Sequence, residues 1–175
     1  MTDFVAALAV AFGVVFVAEL GDKTQLLALD FGARFSLRTV AFGLALGYGL
    51  ANIVATIVGG LLGAALPDRP IQVIGGAVFL GFAALAVRRA RSDTHDDENA
   101  GQADAVRATT TLSVIASIAG LIAVAEMGDK TQIATATLAS QSSPVGVWIG
   151  ATLGAASSGM VGAVAGNMVG HRVSA

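Results

Sequence analysis

Glu19-Leu20-Gly21-Asp22-Lys23-Thr24-Gln25 lies in the middle of one long apolar stretch, and Glu126-Met127-Gly128-Asp129-Lys130-Thr131-Gln132 lies in the middle of another. The first stretch runs from about Phe4 to Leu29 and the second from about Thr111 to Leu138. Both are long enough to span a bilayer. An ionisable side chain at membrane depth costs about 2.5–3.5 kcal/mol on insertion scales. Each stretch nevertheless holds a Glu, an Asp and a Lys within five residues. Groups placed there must pair, line a polar cavity or bind an ion.

Working outward, the two stretches are copies. A shift of 107 positions lays Val17-Ala18-Glu19 on Val124-Ala125-Glu126 and the rest of the first motif on the second. The same shift lays Gly43, Gly47, Gly59 and Gly63 on Gly150, Gly154, Gly166 and Gly170, so the repeat continues into the helix that follows each motif. Further apolar segments run from about Thr39 to Leu66, Ile71 to Val87 and Val145 to Val169. Between them, residues 91–108 form a polar, acidic stretch that cannot bury a core. The chain therefore reads as an all-α polytopic membrane protein with five transmembrane helices. Residues 1–90 form a first three-helix repeat, 91–108 a loop, and 109–175 a second repeat with two helices, its last helix missing. An odd number of helices in the first unit makes the second enter the membrane the other way up, which is the inverted-repeat plan of many secondary transporters.

Composition agrees. The chain is 55% hydrophobic and 13% charged, where a soluble domain is about a quarter charged. Its 22 glycines suit close helix packing in lipid. Without cysteine there is no disulfide framework and no thiolate metal site. His95 and His171 read as solvated loop residues. Asp3 stands where a secretory signal would be basic, so the first apolar stretch reads as a retained helix. No basic run suits nucleic acid. With five helices, Arg34, Arg38, Arg88, Arg89, Arg91, Arg107 and Arg172 fall on one side and only Arg69 on the other. The arginine-rich side is expected to be cytoplasmic. The N-terminus is then outside, and loop 91–108 inside, the plasma membrane.

In a continuous helix, Glu and Asp at i and i+3 share a face. Two facing units would gather Glu19, Asp22, Glu126 and Asp129 around one cavity. Such an oxygen-donor set suits hard cations such as Ca²⁺, Mn²⁺ or Mg²⁺. Crowded carboxylates cannot all stay ionised once a cation leaves, which opens a route to cation/proton exchange. Gln25 and Gln132 lie near the site, with Thr24 and Thr131 as further supporting residues. Lys23 and Lys130 are expected to neutralise neighbouring carboxylates. Gly21 and Gly128 either admit a close neighbour or kink the helix. The other glycines are expected to pack helices. Asn52 is either an interhelical hydrogen bond or a one-sided site residue, and Ser157 and Ser158 read as packing residues.

Glu19-Leu20-Gly21-Asp22-Lys23-Thr24 and its copy resemble the paired signatures of the Gdt-type membrane proteins, which include Golgi manganese/calcium transporters and bacterial manganese exporters. The resemblance covers essentially the whole chain. It implies a divalent cation/proton antiporter whose ion-binding groups are Glu19, Asp22, Glu126 and Asp129. It also implies six helices, three per unit. The partners are then a divalent metal ion (Mn²⁺ or Ca²⁺), protons and the lipid bilayer. No cofactor is expected, and homo-oligomerisation stays open. The rival readings are an intramembrane enzyme of the lipid pyrophosphate hydrolase type and a non-transporting membrane subunit. An enzyme of that type needs phosphate-binding arginines beside its acids. No Arg or His lies within ten residues of any of the four.

Overall fold

The computed structural model describes residues 2–65, 73, 77, 80, 81, 84 and 110–173. The apolar segment 71–87 falls largely outside the described residues, and loop 91–108, with His95, falls wholly outside them. Six helices are described: α1 (Thr2–Glu19), α2 (Lys23–Arg34), α3 (Leu37–Ala65), α4 (Thr111–Glu126), α5 (Lys130–Gln141) and α6 (Pro144–Val173). The last reaches Val173, so His171 belongs to its final turn and not to a loop. Helices α3 and α6 are long and apolar enough to cross a membrane. Helices α1 and α2 meet at a bend of 81°, and α4 and α5 at 80°. Counting each bent pair as one broken span gives four spans among the described residues.

The bend has a local cause. Gly21 and Gly128 take φ of +77° and +79°, a left-handed backbone that only glycine adopts without strain. A Cβ at either position would meet nothing within 4 Å. These glycines therefore serve backbone conformation, not close approach. The next connections are two residues long and capped alike. Ser36 Oγ accepts from the Thr39 amide at 3.3 Å, and Ser143 Oγ accepts from the Gly146 amide at 3.3 Å.

Packing crosses between the copies. The α1–α2 pair lies against α6, the α4–α5 pair lies against α3, and α3 and α6 pack on each other. Each first helix buries one residue per turn: Ala7, Ala11, Val15 and Glu19 in α1, and Val114, Ile118, Ile122 and Glu126 in α4. The long helices answer with Val40, Leu44, Tyr48 and Ala51, and with Val147, Ala151, Ala155 and Ser158. Every residue of one set maps onto the other by the shift of 107.

The repeated glycines sit at the closest approaches. A Cβ on Gly166 would lie 1.8 Å from Leu29 O, and one on Gly59 would lie 2.1 Å from Ala136 O. Gly63 meets Ser140 O and Gly170 meets Ala33 O. Gly47 meets Ala119 O and Gly154 meets Phe12 O. These are paired contacts under the same shift. The expected helix-packing role of the glycine series is what the structure shows. Outward-facing positions are apolar instead: Val5, Val17, Phe42, Leu46, Leu61, Leu112, Val124 and Val164 are all exposed. Glycines at the closest helix approaches and large apolar side chains outside fit a molecule whose solvent is lipid.

Candidate functional site

The buried stripes of α1 and α4 each end on a glutamate. Glu19 is 1% exposed and Glu126 is 3% exposed. Thr24 Oγ1 donates to Glu19 Oε2 at 3.0 Å, and Thr131 Oγ1 donates to Glu126 Oε2 at 3.1 Å. The remaining oxygen of each, Oε1, is buried without a hydrogen-bond partner. The threonines, which sequence position alone ranks low, are thus the direct partners of both glutamates. The 80° turn brings i+5 back over i, which a straight helix would not do.

Asp22 and Asp129 occupy the N-cap positions of α2 and α5, yet neither side chain caps its helix. An Asp at that position commonly accepts from the helix amides. Here the carboxylates turn elsewhere. Ligand oxygens of Glu19, Asp22 and Asp129 all lie within 4.8 Å of one another. Glu126 is outside that triplet but within electrostatic reach of Glu19. The expected single helical face for Glu and Asp is not what joins them. α1 stops at Glu19 and α2 starts at Lys23, and the glycine turn between them folds the two acids together.

The lysines part company. Lys130 makes an ion pair with Asp22 of the other copy, and its Nζ lies 3.7 Å from Asp129 Oδ2. Lys23 is exposed and makes no ion pair among the described residues. Of the two lysines expected to neutralise carboxylates, Lys130 is the one paired with an acid, while Lys23 is exposed and unpaired with any acid among the described residues.

The glutamines brace the turn. Gln25 Oε1 accepts from the Gly21 amide at 2.7 Å, while its Nε2 donates to Ser158 O of α6 at 3.1 Å. Gln132 Nε2 donates to Ala51 O of α3 at 3.2 Å, the matching contact in the other copy. Asn52 Nδ2 donates to Thr152 Oγ1 at 3.4 Å, an interhelical hydrogen bond. Tyr48 was not anticipated. Its hydroxyl is buried, without a hydrogen-bond partner, and within electrostatic reach of Glu19 and Glu126. It is the chain's one tyrosine, set in a helix of Gly and aliphatic residues, and that isolation was the available signal.

A cleft lined by Asp3 and Gln141 and another lined by Ile53 and Trp148 contain none of the four acids. Glu19 and Glu126 lie in packed protein, a low-dielectric setting where an unpaired charge is costly, while Asp22 and Asp129 are only part-buried.

The family model for the divalent cation/proton antiporter GDT1 matches residues 7–94 and 114–175. The chain is 30% identical to the chloroplast protein PAM71 of Arabidopsis thaliana over 98% of its own length and 52% of that relative. It is also 30% identical to the GDT1-like protein sll0615 of Synechocystis, over 99% of this chain and 87% of the relative. A GDT1-like protein of Schizosaccharomyces pombe, C186.05c, is 32% identical over 44% of this chain. The chain thus spans about half the length of PAM71 and most of the cyanobacterial relative. No solved structure matches. Two glycine-broken helices that carry Glu-x-Gly-Asp-Lys-Thr, each bound to the other copy's long helix, belong to a chain of the GDT1 family of divalent cation/proton antiporters.

Proposed function

We propose that this protein exports a divalent cation, Mn²⁺ first and Ca²⁺ second, in exchange for protons across the plasma membrane. Glu19, Asp22, Glu126 and Asp129 are the groups that hold the cargo. The observation that carries this reading is the convergence of Glu19, Asp22 and Asp129 from two separate motifs, with Glu126 buried and within electrostatic reach of Glu19. Carboxylate oxygens suit these hard ions. The orphaned Oε1 atoms of both glutamates are acceptor capacity that a bound cation or a proton would use. In the proposed mechanism Thr24 and Thr131 hold one oxygen of each glutamate and leave the other for cargo. Burial of both glutamates means that cargo reaches them from either side only when helices move.

The reciprocal contacts under the shift of 107 support a two-fold relation between the described residues 2–65 and 110–173. We read the two units as an inverted repeat, with the N-terminus outside and residues 91–108 cytoplasmic. Rocking one bent pair against the opposite long helix would then alternate access to a fixed site.

The test is Mn²⁺ and Ca²⁺ flux in proteoliposomes under an imposed pH gradient. An opposing proton gradient should drive the cation uphill. Acidifying the loading side should weaken apparent affinity, because protonated carboxylates are poor ligands. Glu19→Gln and Glu126→Gln should each abolish the coupled flux while the protein still inserts. Flux in the parent protein that ignores pH would make it a channel or uniporter. Full transport in both Gln variants would reduce the glutamates to structural groups.

A further inference from the structure

Two pairs of hydrogen bonds around the acids are counterparts under the shift of 107. Thr24–Glu19 matches Thr131–Glu126, and Gln25–Ser158 matches Gln132–Ala51. The lysines break the rule. Lys130 crosses to Asp22 and lies 3.7 Å from Asp129, whereas Lys23 faces outward. The Lys130 ammonium therefore bonds Asp22 and stands within ion-pair range of Asp129 Oδ2, an oxygen without a hydrogen-bond partner, and both acids belong to the three whose oxygens converge within 4.8 Å. A purely structural pair would not need to be one-sided in a duplicated site.

We infer that Lys130 is a working part of the transport site, a tethered cation that the divalent ion must displace from Asp22 and Asp129. The inference rests on the antiporter reading and deepens it by assigning a role to a residue that lends no oxygen to the cargo. An ammonium and a divalent ion draw on the same carboxylate oxygens, and both cannot hold them at once. Swinging Lys130 off these oxygens costs its ion pair, so affinity is lower than four free carboxylates would provide. The same group returns as the cargo leaves and speeds release. Lys130 thus lowers affinity and raises turnover, opposite in sign to the effect expected of a residue that merely holds the site together.

The experiment measures Mn²⁺ binding to the purified full chain by the loss of the free-ion paramagnetic resonance signal, and Mn²⁺ flux in proteoliposomes. Lys130→Gln should bind Mn²⁺ about tenfold tighter than the parent and transport it more slowly. Lys130→Arg, which keeps the charge, should bring affinity back toward the parental value. Binding by Lys130→Gln that is unchanged or weaker overturns the inference and leaves the antiporter reading intact. Absence of Mn²⁺ binding in parent and variant alike overturns both. A second measurement needs no variant. Amine-reactive labelling of the parent, read residue by residue by mass spectrometry, should increase at Lys130 when Mn²⁺ is added and stay constant at exposed Lys23. Labelling at Lys130 that Mn²⁺ leaves unchanged or lowers also overturns the inference.

Discussion

Glu19 illustrates how a buried carboxylate is held ready for use. One oxygen accepts from Thr24 at 3.0 Å and the other has no hydrogen-bond partner. A hydrogen bond to a charged group contributes about 1.5–3 kcal/mol. Removing the threonine hydroxyl leaves the carboxylate free to turn and both of its oxygens unsatisfied. Thr24→Val should therefore weaken apparent Mn²⁺ affinity by about tenfold or more, since tenfold corresponds to about 1.4 kcal/mol, just under the lower bound of that range. Thr24→Ser should keep most of it. Thr131→Val should behave the same way through Glu126, since its hydroxyl donates at 3.1 Å. Dose-response curves of flux against Mn²⁺ check this. Equal affinities for Thr24→Val and the parent would mean that packing alone positions Glu19.

At the scale of elements, glycine does two different jobs. Gly21 and Gly128 turn the chain through a left-handed backbone in open space. Gly59 and Gly166 let a helix press on the backbone of the opposite bent pair. Substitutions separate the two. Gly166→Ala puts a Cβ 1.8 Å from Leu29 O, so helices must part. Overpacking of this kind costs about 1–3 kcal/mol, and the melting temperature in detergent should fall. Gly120→Ala, where a Cβ meets nothing within 4 Å, should leave it unchanged. Gly21→Ala should cost about 1–2 kcal/mol of backbone strain and impair transport, because the turn that joins Glu19 to Asp22 is disturbed. Gly21→Asn should be milder, since Asn tolerates this region. A melting temperature for Gly166→Ala equal to the parent's would contradict the close-packing account.

Over the whole molecule, the two copies complete each other. Neither bent pair packs mainly on its own long helix; each is seated on the partner copy's. Neither half buries its glutamate stripe alone, and the acids of both meet where the halves join. In the proposed orientation, a reporter fused after Ala100 should read as cytoplasmic, because seven arginines fall on that side. A reporter there that reads as external would reverse the orientation and the direction of transport.

Some of this was decided by residue order alone. Charge inside apolar stretches, repeated at a shift of 107, specifies a duplicated membrane protein with carboxylates at depth, because such groups are too costly to be placed without use. The long apolar runs likewise specify α3 and α6, whose bounds fall within a few residues of the hydropathy limits. The break within each motif was legible only as one of two alternatives, a kink at the glycine or a close approach to it. Apolar periodicity continues through Glu19-Leu20-Gly21-Asp22, and a glycine inside a helix and a glycine at φ +77° look the same as letters. Only the tertiary structure decided that the chain turns there, because the turn is stabilised by partners far along the chain, such as Ser158 O on Gln25. It also decided that Lys130 and not Lys23 faces the acids. The two lysines stand in identical local sequence, and what separates them is the three-dimensional neighbourhood that each side chain enters.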